Sequence, residues 1–217
     1  SERFAGAVNT YCIEAMMGDK KALQAGTSHF LGQNFAKAFD VKFQNKDNQE
    51  EYVFATSWGV STRLIGAIIM VHGDDKGLRL PPAIAPIQIV IIPVGKDNEE
   101  TLKYIYTIQE DLVSLNIRVH IDNRPKMSPG FKFNEWEMKG VPVRLDIGMQ
   151  EYENKQVSIF RRDENSKKLI DTKTLLDSIN EILNEIQKKM YEQALSFMNE
   201  NIHQVKNYNE FKKIIET

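Results

Sequence analysis

Apolar and polar residues alternate over 10–17, TYCIEAMM, with Tyr11, Ile13, Ala15 and Met17 on one side, the two-residue period of a β-strand. Gly18-Asp19-Lys20 supplies a hairpin turn, and 22–27 can return as the partner strand. Ser28 then reads as the cap of a helix over 29–39, whose Leu31, Phe35, Ala38 and Phe39 share one face. Two more strands are expected near 41–44 and 52–57, on either side of the polar tip 45–51. The next helix is capped by Ser61-Thr62 and carries Leu64, Ile65, Ile68, Ile69 and His72 in one stripe. Hairpins alternating with helices predict an antiparallel sheet with helices on one side.

Pro81, Pro82 and Pro86 end that unit, and 80–87 reads as an extended linker because consecutive prolines cannot continue a helix. Beyond it the pattern changes. The run 87–93, IQIVIIP, is nearly continuous in apolar residues, as in a strand buried on both faces. A helix over 98–116 and a strand over 117–122 complete a β-α-β unit with a parallel pair. Pro129 can open a short helix that runs to Lys139 and stops at Gly140, and strands are expected over 141–148 and 155–162. A long helix begins near Asp171-Thr172. Its Leu176, Ile179, Leu183, Ile186 and Met190 have the spacing of a coiled-coil seam, but packing on its own domain is the favoured reading. The fold class is α+β followed by α/β.

Composition removes several function classes. The 217 residues carry 28 Lys and Arg against 30 Asp and Glu, a formal net charge of −2, so the chain lacks the basic footprint of a protein that coats nucleic acid. Any RNA contact must be local. No apolar run reaches membrane-spanning length, and the start lacks a signal-peptide pattern. Cys12 is the one cysteine; it sits in a predicted strand without a neighbouring base, so burial is expected, and a reducing, cytoplasmic setting fits. The four histidines have no zinc-ligand spacing. Gly73-Asp74-Asp75-Lys76-Gly77 follows a helix instead of opening one, which makes it a turn and not a phosphate loop. Ser1-Glu2-Arg3 in place of an initiator Met reads as a piece of a longer protein, or a processed one.

Three stretches hold candidate chemistry. Arg63 directly follows the Ser61-Thr62 cap, where a cation opposes the helix dipole; it is either a ligand-binding residue or a solvated surface arginine. Gln24-Ala25-Gly26-Thr27-Ser28-His29 is expected to cross from a strand end to a helix N-terminus, which favours an anion, unless it is only a capping turn. Phe131, Phe133, Trp136, Glu137, Lys139 and Arg144 fall in one short region. Aromatics stack on unpaired bases while Glu, Lys and Arg read base edges; alternatively Phe133 and Trp136 are the core face of a helix.

AGTSHFLGQNFAKAF (25–39), TSWGVSTRLIGAIIMVHGDDKGLRLPP (56–82) and SPGFKFNEWEMKGVPVRLDIG (128–148) together resemble the prolyl-tRNA synthetases of archaeal and eukaryotic type, which are class II enzymes. The resemblance covers residues 4–165 and continues more weakly to the end. It implies a parent enzyme that activates proline with ATP to prolyl-adenylate and passes the prolyl group to proline tRNA. Magnesium is expected with ATP in the parent, and no metal site in this chain. Arg63 matches the motif 3 arginine lying over the nucleotide, and Thr62, Gln24 and Thr27 match positions near ATP and the adenylate. His29, Trp58, Gly59 and Ser61 match the proline pocket. Phe133, Glu137 and Arg144 match positions around the anticodon, where proline tRNAs carry two guanines; a carboxylate accepting from guanine N–H groups is sensible chemistry there, and Trp136 stays in the core.

The implied organisation is the rear of a class II antiparallel-sheet catalytic domain over 1–82 and a linker over 83–86. An α/β anticodon-binding domain with a mixed sheet follows over 87–170, then the helical start of a C-terminal region over 171–217. Implied partners are proline tRNA, proline and ATP, with a homodimeric parent and neither membrane nor DNA. Motifs 1 and 2 are absent, with the arginine that grips the α-phosphate, so the chain alone is expected to be inactive. Gly148-Met149-Gln150-Glu151 departs from the family's Gly-Pro-Arg/Lys-Asp, and Ala83 replaces a frequent arginine. The alternatives are a stand-alone tRNA-binding or regulatory paralogue without catalysis, and a scaffold that uses 176–197 as a coiled coil.

Overall fold

The computed structural model describes residues 3–95 and 98–215; Ser1 and Glu2, on which the reading of the chain's start rests, lie outside them. Two compact units divide between Val71 and His72. The first begins with β1 (Asn9–Met16) and β2 (Ala22–Gly32), joined by the expected turn with Lys20 at φ 68°. Then come α1 (Asn34–Ala38), a ribbon of β3 (Lys42–Gln44) and β4 (Glu50–Tyr52), β5 (Ala55–Val60) and α2 (Arg63–His72). β1, β2 and β5 form an antiparallel sheet with β2 in the centre.

The helix expected over 29–39 is corrected by this sheet. Residues 26–30 of β2 are paired on both edges, to β1 and to β5, so His29 lies within a strand and the helix shrinks to five residues. Two ladders outweigh a short apolar period. Cys12 is exposed, contrary to expectation, because β1 is an edge strand whose outer positions meet no second layer among the described residues. The apolar stripe of α2 is likewise open: Ile65 and Ile69 are exposed, and Ala67 is buried.

In the second unit the elements are β6 (Ile89–Pro93), α3 (Glu99–Ser114), β7 (Val119–Ile121), α4 (Pro129–Met138) and β8 (Val143–Ile147). α5 (Met149–Asn154), β9 (Gln156–Arg161), β10 (Ser166–Asp171), α6 (Thr172–Glu200) and α7 (Tyr208–Ile215) follow. The sheet order is β10-β9-β8-β6-β7, with β6 parallel to β7 and β8 and the other pairs antiparallel, which is the mixed sheet expected. β6 is buried on both faces. Ile89 and Ile91 join α3 and α6 in the larger core, while Val90 and Ile92 meet Trp136 and Val141 on the other side. Leu175, Ile179, Leu183, Ile186 and Met190 of α6 belong to that larger core, so the helix packs on its own domain.

The double proline does not lead into a free extended segment. Pro81 and Pro82 are buried, and the Ala85 N–H donates to the Pro81 carbonyl at 3.1 Å in a tight turn. Arg118 donates to the Pro82 and Ala85 carbonyls, each at 2.8 Å, and the Ala83 N–H donates to Gln187 Oε1 at 3.0 Å. Polar partners close at hand thus fold the proline segment onto the second unit.

Residues 74–80 run past the end of α4. Leu78 N–H donates to the Met138 carbonyl (2.9 Å) and Leu80 N–H to that of Gly140 (3.1 Å). Gly140 ends α4 at φ 73°, and a Cβ there would stand 2.6 Å from Leu78 Cβ. Arg162 fastens the same place: it is 1% exposed, holds the Asp74 carboxylate with both terminal nitrogens, and donates Nε to the Glu137 carbonyl at 3.2 Å. The Arg162 guanidinium beside Asp74 lowers that carboxyl to about 2.

Gly140→Ala should cost about 2 kcal/mol or more, from the left-handed backbone and the clash together, as read by urea unfolding of the chain. Asp74→Asn should cost roughly 3 kcal/mol, because Arg162 would stay buried without its counter-ion. The Asp74 contribution is complete above the unfolded carboxylate value of about 4 and disappears as pH falls toward the folded value. Stability measured between pH 5 and 2 should therefore fall less steeply in Asp74→Asn than in the parent sequence.

Candidate functional site

The first unit brings five of the candidate residues to one place. Gln24, Thr27, Gly59, Ser61 and Arg63 line an open concavity of about 250 Å³ where β2, β5 and the start of α2 meet. Pairing explains the convergence: Thr27 lies opposite Gly59 and Gly26 opposite Val60, so the chain reaches Ser61 and α2 beside the middle of β2. The candidate stretch 24–29 is therefore a strand interior and not a helix N-terminus, which corrects the expectation. Gly59 leaves this floor clear, since a Cβ added there would meet nothing within 4 Å. Ser61 Oγ accepts from the Arg63 N–H at 3.3 Å and opens the helix. Arg63 then crosses the concavity and donates Nη1 to the Gln24 carbonyl at 3.2 Å. That bond uses one of five guanidinium donors, and the helix N-terminus behind it has the same sign of charge. The concavity therefore carries positive charge that no carboxylate among its lining residues answers. Thr62 is exposed, and its carbonyl accepts from Ile65 in the first turn of α2.

The proline-pocket candidates are less unified. His29 is half-buried, with Nδ1 3.0 Å from Thr10 Oγ1 and its ring 4.7 Å from that of Phe4. Directly paired residues of an antiparallel sheet share a face. His29 and Ser57 therefore lie with Thr27 and Gly59, whereas Trp58, paired with Ser28 and 77% exposed, lies on the opposite face. Thr10 and Phe4 were missed by sequence reasoning; only the register of β1 against β2, Thr10 opposite His29, reveals Thr10.

In the second unit Phe133 and Glu137 sit four residues apart on α4 and share a side. Arg144 reaches Phe133 from β8, but it is 7% exposed and engaged with other partners as well. Its guanidinium carbon lies 4.1 Å from the centre of the Phe133 ring and 4.4 Å from that of Phe160, while Nε donates to Asp146 Oδ1 at 2.8 Å. Asp146 is also paired with Lys167 at 2.9 Å. Phe160 and Lys167 lie on β9 and β10, and the latter strand was invisible in the sequence. Glu137 is mostly buried and pairs with Lys76 at 3.1 Å.

Trp136 is in the core, as expected, and donates Nε1 to Asp122 Oδ2 at 2.8 Å. Asp122 is itself buried; Arg124, bound to both carboxylate oxygens, holds its carboxyl far below the ordinary range. This buried pair fixes the angle of α4 and so of its outer face. The Gln150 and Glu151 positions border a second hollow of about 490 Å³ with Gly148, but Glu151 Oε2 is taken by the Gly148 N–H at 2.9 Å. Among the described residues no group of three His, Cys, Asp or Glu side chains is placed to hold a metal ion.

Residues 88–182 match the family model described as an anticodon binding domain. Over all of its length the chain is 52% identical to a proline–tRNA ligase of Flavobacterium johnsoniae, and over 99% of it 54% identical to one of Azobacteroides pseudotrichonymphae. Each alignment covers 44% of the relative, so the chain spans under half the length of the curated relatives it matches. It is also similar to the crystal structure of prolyl-tRNA synthetase from Cryptosporidium parvum complexed with L-proline and AMP. There the TM-score is 0.92 at 38% identity, over 99% of this chain and 47% of the other. With the unit carrying Arg63 and the unit carrying Glu137 both accounted for, the chain belongs to the prolyl-tRNA synthetase family.

Proposed function

We propose that these residues are the C-terminal portion of a proline–tRNA ligase. The parent joins a carboxylate oxygen of proline to the α-phosphorus of ATP as the bond to pyrophosphate breaks; a hydroxyl of the terminal ribose of proline tRNA then takes the prolyl group as the acyl–phosphate bond breaks and AMP leaves. The observation that carries the reading is the Arg63–Gln24 contact closing one side of a concavity whose floor Gly59 keeps open. In this reading Arg63 lies over the nucleotide, with Thr62, Gln24 and Thr27 near the adenylate. His29, set by Thr10, faces the proline ring with Gly59 and Ser61; Trp58 bounds that pocket only if its ring serves from the other face.

Residues 1–82 act as the rear of the catalytic domain, 83–86 as the joint, 87–170 as the anticodon reader and 171–217 as the start of the C-terminal region. Phe133 offers a stacking surface, Glu137 accepts from guanine, and Arg144 holds Phe133 in place from beneath. Magnesium travels with ATP in the parent, the parent is a homodimer, and it works in the cytoplasm. No helix among the described residues is long and apolar enough to cross a membrane.

The 217-residue chain should give no proline-dependent pyrophosphate exchange, because its concavity is open and its relatives are more than twice as long; robust turnover would sink the assignment of the missing half. In the full-length parent, Arg63→Ala should lower exchange by about 100-fold, the scale of losing one charge-stabilising donor, with tRNA affinity unchanged. Unchanged adenylate formation would remove Arg63 from the site. Glu137→Ala should lower discrimination among tRNAs and leave proline activation alone, and equal loss of both would point to misfolding instead.

A further inference from the structure

Lys76 Nζ stands 3.1 Å from Glu137 Oε1, yet that buried oxygen accepts no hydrogen bond. The ammonium approaches that oxygen at ion-pair distance but outside hydrogen-bond geometry, on the buried side of the carboxylate. It is also held where it is. The Lys76 N–H donates to Asp74 Oδ1 at 3.0 Å, and Asp74 and Gly77 exchange backbone hydrogen bonds across the turn, each 3.0 Å. Arg162 clamps Asp74 and at the same time donates to the Glu137 carbonyl. One buried guanidinium therefore sets both the turn that presents Lys76 and the backbone that carries Glu137.

We propose that Lys76 is a positioning residue for Glu137: its charge holds the carboxylate in the orientation that accepts the N1–H and N2–H donors of an anticodon guanine. This rests on the reading of Glu137 as the anticodon contact and extends it to a residue outside the helix. A carboxylate offers about four lone-pair sites, and a guanine edge takes two. The ammonium stands against the buried Oε1, which a base cannot reach, so it need not leave when a base meets Oε2. Without Lys76 the carboxylate loses its adjacent charge, and burying an unpaired carboxylate is costly enough to turn it toward water. The competing role for a half-exposed lysine is a contact to the RNA phosphates, which carries no base information.

The two roles separate in a binding experiment on the 217-residue chain. The probes are an anticodon stem-loop RNA with its guanines and the same RNA with inosine in their place, which lacks the N2 amino group. The parent sequence should favour guanine by about tenfold or more, the scale of one hydrogen bond to a charged group. Lys76→Met should bring that ratio close to one, because guanine loses both N–H contacts while inosine loses only N1–H, and Lys76→Arg should restore it. A phosphate contact gives the opposite result: Lys76→Met weakens both RNAs alike, lowers the salt slope by about one and keeps the ratio, which overturns the proposal. Glu137→Gln tells the two levels apart. If it abolishes the ratio while Lys76→Met preserves it, Glu137 remains the reader and Lys76 alone is excluded. If Glu137→Gln preserves the ratio, the reading of Glu137 fails and the role of Lys76 fails with it.

Discussion

Arg162 is a full cation with almost no solvent contact, and its side chain donates to the Asp74 carboxylate, the Gly77 and Glu137 carbonyls and Asn165 Oδ1. A buried charge costs several kcal/mol unless it is paired and hydrogen-bonded, so these partners are not optional. Arg161, its neighbour, points the other way and binds Asp163 and Glu185 of α6. Successive residues of an extended chain face opposite sides, and here that alternation sends one arginine to each layer of the domain. α4 and the 74–80 segment are registered from one side of β9, α6 from the other. The position of Glu137 follows from that registration together with the Trp136–Asp122 hydrogen bond.

The same alternation divides the labour of β8. Val143, Leu145 and Ile147 enter the large core with α3 and α6, and each is fully buried. Arg144 and Asp146 fall between them and face α4, where a second apolar core would otherwise continue. Arg144 behaves as packing, stacked between two phenylalanines, and its charge is answered by Asp146. The polar face is thus dry beneath and opens at its rim, where Phe133 is half-buried and Lys167 is exposed. The first unit has no such second layer among the described residues: Tyr11, Ile13, Trp58 and Val60 are all exposed on a three-stranded sheet. Apolar strands in that state call for further chain or a partner to cover them.

Strong periodicity was readable, and pairing was not. The β6-α3-β7 unit, the capped α4 with Pro129 at its start and the α6 stripe each announce themselves through local pattern, and each stands where expected. His29 was misplaced because 28–39 has a respectable helical period; only two neighbouring ladders hold it in a strand. β10 escaped because Ser166-Lys167-Lys168 looks like a loop, although charged residues are what an edge strand needs to refuse further pairing. Arg63, Gln24 and Thr27 could be named from resemblance, and their convergence depended on the β2–β5 register. Thr10, Phe160 and Lys76 carry no local signal at all, since each matters only through what lies across from it.

The two sites also show opposite charge logic, and each suits the ligand proposed for it. At α2 a cation sits on the positive end of a helix dipole, an arrangement that costs about 0.3–1 kcal/mol at a surface until an anion arrives. Arg63 is tethered by a neutral carbonyl, which positions it without neutralising it. At α4 the unmatched group is an anion: Glu137 has a cation at ion-pair distance but no donor on its buried oxygen. A phosphate brings negative charge and suits the first arrangement, whereas a guanine edge brings N–H donors and suits the second. Each site keeps charge in reserve in the free protein, Arg63 on a neutral tether and Glu137 beside a single cation, and its proposed ligand brings the complementary group.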